Sequence, residues 1–188
     1  MQGVSEAAQL RAAEFAVLRR TIAGRGTARI VIAALTCTAW AALTLLVVLF
    51  SDLPVAPVLS LVVLVGGFEA IHALHVGAER IGRYLQVYYE GAPEGPQWET
   101  TAMTVGPALP GGGVDPLFSV VFVGTTLINL ASALMVLAQP TWEELSVLGA
   151  VHAAFVFRVI RARVAAARQR AVELESFKAL LLRQHDRG

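Results

Sequence analysis

The sequence predicts an all-α, polytopic membrane protein with four transmembrane helices, an N-terminal surface helix and two helices extended into the cytoplasm. Hydrophobic residues make up 56% of the 188 residues and charged residues 15%, whereas soluble domains hold about 25% charged residues. Four apolar stretches lie near residues 30–50, 53–77, 116–138 and 143–160. A helix needs roughly 20 apolar residues to cross a bilayer, so each stretch is a candidate span.

The distribution of basic residues predicts the orientation of these spans. All 15 lysines and arginines lie outside connectors 51–54 and 139–144, which together hold three acidic residues. Basic residues are retained on the cytoplasmic side of short loops. We therefore expect a multi-pass protein of the cell (inner) membrane, with both termini and the middle loop in the cytoplasm.

The first half of the chain is expected to form one cytoplasmic helix and one transmembrane hairpin. Residues 1–26 have an amphipathic pattern, and Gly24, Arg25 and Gly26 are expected to end that helix. It could lie on the membrane surface or pack against the rest of the chain. Residues 27–90 form hairpin 1, whose second helix runs on into the cytoplasm because no proline interrupts it after Pro57.

The second half is expected to repeat this plan. Residues 91–115 form a cytoplasmic loop rich in glycine and proline, 116–160 form transmembrane hairpin 2, and 161–188 form a basic cytoplasmic helix. A coiled-coil-like seam with three- and four-residue spacing predicts a partner helix from the same chain or from a second subunit. Its members are Phe157, Ile160, Val164, Ala167, Ala171, Leu174 and Leu181.

A polar stripe crosses the second span and consists of Glu69, His72, His75 and Glu79. Ionisable residues in a span are costly and are by default functional candidates. Histidine and glutamate can relay protons or hold cations, so the polar stripe could conduct. The alternative is a packed stripe that is joined to arginines by ion pairs.

Counting residues from the outer connectors predicts partners for two polar residues. Glu69 lies 15 residues from Pro54, and Arg158 lies 15 residues from Glu143, so both are about 22 Å deep at 1.5 Å per residue. We therefore expect a buried ion pair between them. Asn129 and His152 likewise come to one level, and we expect a hydrogen bond between their side chains.

The metal and cofactor interpretations have little support in the sequence. Glu69-x-x-His72 resembles half of a di-iron carboxylate motif, but the chain has one such motif where two and further carboxylates are needed. His72 and His152 differ in depth by about 14 Å at 1.5 Å per residue, too far to ligate one haem. We expect no metal and no cofactor.

Two acidic residues, Glu143 and Glu144, open the last span at the outer face. In an oligomer they could form an acidic pore mouth that selects cations. The alternative is helix capping, because Thr141 and Glu144 have capping-box spacing. Capping alone is sufficient to explain both residues.

The motifs weaken several functional classes, and a membrane enzyme or cofactor carrier ranks last of three hypotheses because ligands and nucleophiles are lacking. No phosphate-binding loop follows Gly111–Gly113, and no nucleophile, base and acid are placed together. We expect neither an enzyme nor a nucleic-acid binder, and the basic C-terminal helix suits lipid headgroups. The first hypothesis is an oligomeric channel or transport subunit that conducts ions or protons along the polar stripe. The second is a non-catalytic anchoring subunit that binds a cytosolic partner through its extended helices.

Overall fold

The computed structural model describes residues 2–51, 53, 56–91, 96–105, 116–137 and 139–186, and within these ranges it contains helices and no strand. The helices are α1 (Gln2–Phe50), α2 (Ala56–Tyr88), α3 (Trp98–Val105), α4 (Pro116–Val136) and α5 (Trp142–His185). The acid of the first connector, Asp52, and most of the glycine- and proline-rich loop lie outside the described residues.

Four helices are long and apolar enough to cross a membrane, which confirms the all-α class and the number of spans. The candidate spans lie in Glu6–Phe50, Ala56–Tyr88, Ser119–Val136 and Trp142–His185. α1 has 49 residues and α5 has 44, roughly twice what one crossing requires. α1, α2 and α5 are therefore long enough to continue beyond a bilayer.

The chain forms two compact units. The apolar unit comprises Arg29–Ala73 and Asp115–Ala165, and the terminal unit comprises Met1–Ala28, Leu74–Val114 and Ala166–Gly188. α1, α2 and α5 contribute to both units, whereas α4 belongs to the apolar unit and α3 to the terminal unit.

Phenylalanine rings fill the centre of the apolar unit. Phe68 of α2, Phe122 of α4 and Phe155 of α5 pack nearly edge to face, with ring centroids 5.4 to 6.5 Å apart. Buried aliphatic residues surround them, namely Leu61, Leu64, Ile71, Val159 and Ala162. Edge-to-face pairs add directional attraction to the burial of apolar area, so these rings align α2, α4 and α5.

α1 and α2 approach each other closely at Gly67 in the apolar unit. A Cβ atom added to Gly67 would overlap the side chain of Thr36, which lies on α1 and is buried. The neighbouring Gly66 has open space where its Cβ would be. Because small residues let helix backbones come close, Gly67 allows the α1–α2 contact.

The first turns of α1 pack against the end of α2 in the terminal unit. The Phe15 ring lies 5.4 Å from the Tyr89 ring. The Glu14 carboxylate accepts hydrogen bonds from the hydroxyls of Tyr84 at 3.0 Å and Tyr89 at 2.6 Å. Burial, together with the bond to Glu14, raises the pKa of Tyr89 well above its ordinary value. Of the two alternatives for residues 1–26, these contacts favour packing against the chain.

The structure differs from the sequence expectation near residue 26, because α1 does not end at Gly24, Arg25 and Gly26 but runs on to Phe50. A glycine inside a helix costs only about 1 kcal/mol relative to alanine, and ending the helix would leave backbone groups without helical partners. In addition, the Arg25 guanidinium occupies the space beside Gly77 of α2 that a Cβ would fill.

Glu90 positions the short helix α3 in the terminal unit. Its two carboxylate oxygens accept the backbone N–H groups of Glu99 and Thr100, each at 2.7 Å, where the helix dipole favours negative charge. Arg19 of α1 donates to Glu99 at 2.7 Å. Burial nevertheless raises the pKa of Glu99, since it outweighs the effect of Arg19.

Over residues 155–164, α5 packs within its own chain along a different stripe from the predicted seam, so that part of the seam keeps only the second-subunit alternative. Phe157, Ile160 and Val164 are 60%, 52% and 46% exposed. The buried side chains of this segment are instead Phe155, Val159 and Ala162. Both stripes have three- and four-residue spacing, and a segment that is apolar on most sides does not reveal from its sequence which stripe faces the core.

Candidate functional site: the polar stripe of α2 and its partners

The apolar unit holds Glu69 and His72 of the polar stripe. Arg158 Nη2 of α5 donates to Glu69 Oε2 at 2.7 Å, the contact expected from their equal depth. The side chains of Glu69 and Arg158 are 42% and 41% exposed. The pair therefore lies at the edge of the apolar unit. This differs from the buried pair that was expected from the sequence.

The Phe68 ring contacts two polar groups of the apolar unit, His72 of the polar stripe and Arg158, the partner of Glu69. The His72 ring stacks on it at 5.8 Å with an interplanar angle of 2°. The Arg158 guanidinium lies 5.7 Å from its centroid, within the range of a cation–π interaction. Phe68 is 6% exposed and fixed in the core, so it gives both polar groups a rigid base.

The terminal unit holds the other two residues of the polar stripe. His75 is half-buried. Glu79 Oε2 accepts from Arg83 Nη1 and from Arg170 Nη2 of α5, both at 3.1 Å. Glu79, like Glu69, is thus held by an arginine of α5.

A second carboxylate, Glu173 of α5, lies at the centre of the charges in the terminal unit. Its Oε2 accepts from Arg83 Nε at 2.8 Å and Nη2 at 2.6 Å, and its Oε1 accepts from Arg80 Nη2 at 3.0 Å and Gln169 Nε2 at 2.6 Å. Arg83 and Glu173 are only 6% and 14% exposed. We call Glu79, Arg80, Arg83, Arg170 and Glu173 the charge network.

Glu173 was not among the site residues predicted from the sequence, although a signal for it exists. α2 and α5 pair with nearly constant separation along the chain: 89 residues for Glu69 and Arg158, 90 for Arg83 and Glu173. The counting rule that matched the first pair, continued toward the C-terminus, therefore places Glu173 opposite the end of α2.

Asn129 of α4 forms a second polar cluster in the apolar unit. Its Oδ1 accepts from Trp40 Nε1 at 3.0 Å and from Thr44 Oγ1 at 3.4 Å. Its Nδ2 donates to the Pro57 carbonyl at 3.1 Å and lies 3.0 Å from His152 Nε2. Asn129 is 1% exposed, and it joins α1, α2, α4 and α5.

These contacts determine the tautomer of His152. Because Asn129 Nδ2 can only donate, His152 Nε2 is the acceptor and the ring proton lies on Nδ1. Nδ1 then donates to the Leu148 carbonyl at 2.7 Å. His152 is thus neutral with both nitrogens bonded, an arrangement that suits a structural role.

Of the two acidic residues at the start of α5, Glu144 caps the helix and Glu143 is exposed. The Thr141 N–H donates to Glu144 Oε2 at 2.8 Å, and the Glu144 N–H donates to Thr141 Oγ1 at 3.2 Å. This is a reciprocal capping box. Glu143 is exposed, and its contribution is to place negative charge in the first turn.

Comparison of the chain with models of protein families, with curated proteins and with solved structures finds no match in any of the three. Within the described residues, no group of three or more histidine, cysteine, aspartate or glutamate side chains is placed to hold a metal ion. The chemistry that the described contacts provide is ion pairing between α2 and α5 and hydrogen bonding around Asn129.

Proposed function

We propose that this protein is a non-catalytic anchoring subunit of the cell (inner) membrane that binds a cytosolic protein through its terminal unit. One observation carries the proposal: the terminal unit has its own charge network and still exposes large apolar side chains on α1, α3 and α5. These are Leu10, Val17, Trp98, Val172, Leu180 and Leu182, 47% to 67% exposed. Large apolar side chains that are exposed on a water-facing domain are candidates for a protein-binding surface.

The distribution of charge supports a cytoplasmic position for the terminal unit. Eleven of the 15 lysines and arginines belong to its three segments. Cytoplasmic segments retain basic residues, which supports an inside position for both termini and the middle loop. The apolar unit then supplies the anchor.

The pairing of the polar stripe supports anchoring over conduction. Glu69 is held by Arg158, and Glu79 by Arg83 and Arg170. Arginine does not release its proton in proteins, so it cannot pass a proton on. Such pairs join helices, which is what a stable anchor needs.

Partner binding is tested at Leu182, which is 67% exposed on α5. The full-length protein is cross-linked in its native membranes, solubilised and purified. We expect Leu182→Asp to lose a stoichiometric cytosolic partner, because a charge would have to be buried in an apolar interface. Gln184→Asp adds the same charge at an exposed polar position nearby and should retain the partner. Equal retention by both variants, or no stoichiometric partner with the wild type, would contradict anchoring.

Conduction remains the second candidate because Glu69 and His72 are only half-buried in the apolar unit. Cation and proton flux into proteoliposomes is compared for the wild type and Glu69→Gln. Under the anchoring proposal, neither protein increases flux above that of empty vesicles. Flux that requires the wild-type protein and falls with Glu69→Gln would assign conduction to the polar stripe instead.

A further inference from the structure

The Glu69–Arg158 pair is incompletely covered by its own chain. The two side chains are 42% and 41% exposed, although both lie about 22 Å from the outer connectors in a hydrocarbon core roughly 30 Å thick. The long arginine side chain can reach toward the headgroups, but the shorter glutamate side chain cannot. A charge that faces lipid is costly, so this surface requires a cover.

We propose that the cover is a second copy of this chain, docked against the α2–α5 surface around Glu69 and Arg158. Two copies related by a two-fold axis along the membrane normal place identical residues at the same depth. The pair is then self-complementary, since each Glu69 can face Arg158 of the second copy. The contact within one chain joins Nη2 of the guanidinium to Oε2 of the carboxylate.

The surface of α2 beside Glu69 allows close approach of a second helix. Gly66, Ala70 and Ala73 are exposed at three- and four-residue spacing, and Gly66 has open space where its Cβ would be. Small residues at this spacing let backbones approach in membranes. They permit the proposed contact, whereas the pair of charges supplies the reason for it. The inference requires the four-span topology but not the anchoring function.

Disulfide trapping tests this surface. Cys37, the only cysteine of the chain, is replaced by serine, and Ala70→Cys is introduced. Ala34→Cys is the matched control, because Ala34 is also an exposed alanine and lies at the same depth, 16 residues before the end of α1 at Phe50. The purified full-length protein is reconstituted in phospholipid vesicles at high lipid excess and oxidised. A disulfide requires Cα atoms within about 7 Å, so we expect dimers with Ala70→Cys and only traces with Ala34→Cys.

The charges are tested separately by association measurements at increasing lipid dilution. Polar contacts between membrane helices contribute about 0.6–1.7 kcal/mol, so Glu69→Gln should weaken association about three- to eighteenfold. The double replacement Glu69→Arg with Arg158→Glu preserves the alternation of charges and should restore association. Circular dichroism melting verifies that each variant is folded.

Equal cross-linking at both cysteine positions would overturn the inference, as would a wild type that stays monomeric at every lipid ratio. If Ala70→Cys traps dimers but Glu69→Gln does not weaken association, the role of the charges would be overturned. A cross-link in native membranes to a different protein, with no dimer in vesicles, would assign the surface to that protein and refute the second copy.

Discussion

Replacing Glu173 by glutamine is expected to destabilise the protein by about 3–5 kcal/mol, the usual loss when one partner of a buried ion pair is removed. Arg83, which is 6% exposed, makes two of its three described hydrogen bonds to Glu173. Glutamine keeps the shape but carries no charge, so Glu79 would be the one charged partner left to Arg83 among the described residues. The free energy of unfolding is measured by titrating micellar protein with denaturing detergent.

The matched control for this prediction is Glu175→Gln, two residues further along α5. Glu175 is 77% exposed and lies 3.7 Å from Lys178, so its replacement should change the free energy by less than about 0.5 kcal/mol. The double replacement Arg83→Met with Glu173→Leu removes both buried charges and should recover most of the loss. Equal stability of Glu173→Gln and Glu175→Gln would show that the charge network does not stabilise the terminal unit.

Gly67→Ala is expected to destabilise the apolar unit by about 1–3 kcal/mol, the usual cost of adding a methyl group to a packed core. The new Cβ would overlap the Thr36 side chain close to its own Cβ. Rotation of the Thr36 side chain cannot remove the overlap. The Cβ atom of Thr36 is among the overlapping atoms, and it does not move when the side chain rotates. α1 and α2 must therefore separate, and the other contacts between them weaken.

Gly66→Ala supplies the control, since it makes the same change one residue earlier with nothing within 4 Å. It should be neutral or stabilise by up to about 1 kcal/mol, because alanine favours helix more than glycine does. Thr36→Gly combined with Gly67→Ala should recover part of the loss by removing the obstructing side chain. If melting in micelles gives the same stability for both single variants, the close approach at Gly67 does not limit packing.

The fold class and two polar contacts could be predicted because they depend on quantities that the sequence contains. Apolar length and the position of basic residues indicate four spans, and counting from the connectors matched Glu69 with Arg158 and Asn129 with His152. Both contacts were predicted from distances along the helix axis. These distances follow from the residue count, because each residue advances an α-helix by about 1.5 Å.

Features that depend on rotation about a helix axis, or on a small difference in free energy, were not predictable in this way. The buried stripe of α5 competes with a second apolar stripe of the same spacing, and only the three-dimensional packing of Phe155 selects between them. The bond from Trp40 to Asn129 joins residues of α1 and α4 that are 89 positions apart. The continuation of α1 past Gly24 and Gly26 depends on the difference between two free energies. These are the cost of two glycines inside a helix and the gain from packing Arg25 beside Gly77.

The hydrogen bond from Trp40 to Asn129 gives the protein an internal optical reporter. The chain has three tryptophans; Trp98 and Trp142 are 64% and 79% exposed, whereas the Trp40 indole is half-buried and bonded inside the apolar unit. Aqueous quenchers such as iodide will therefore extinguish the emission of Trp98 first and that of Trp40 last. The emission that survives quenching follows the integrity of the Asn129 cluster in vesicles, with no added dye.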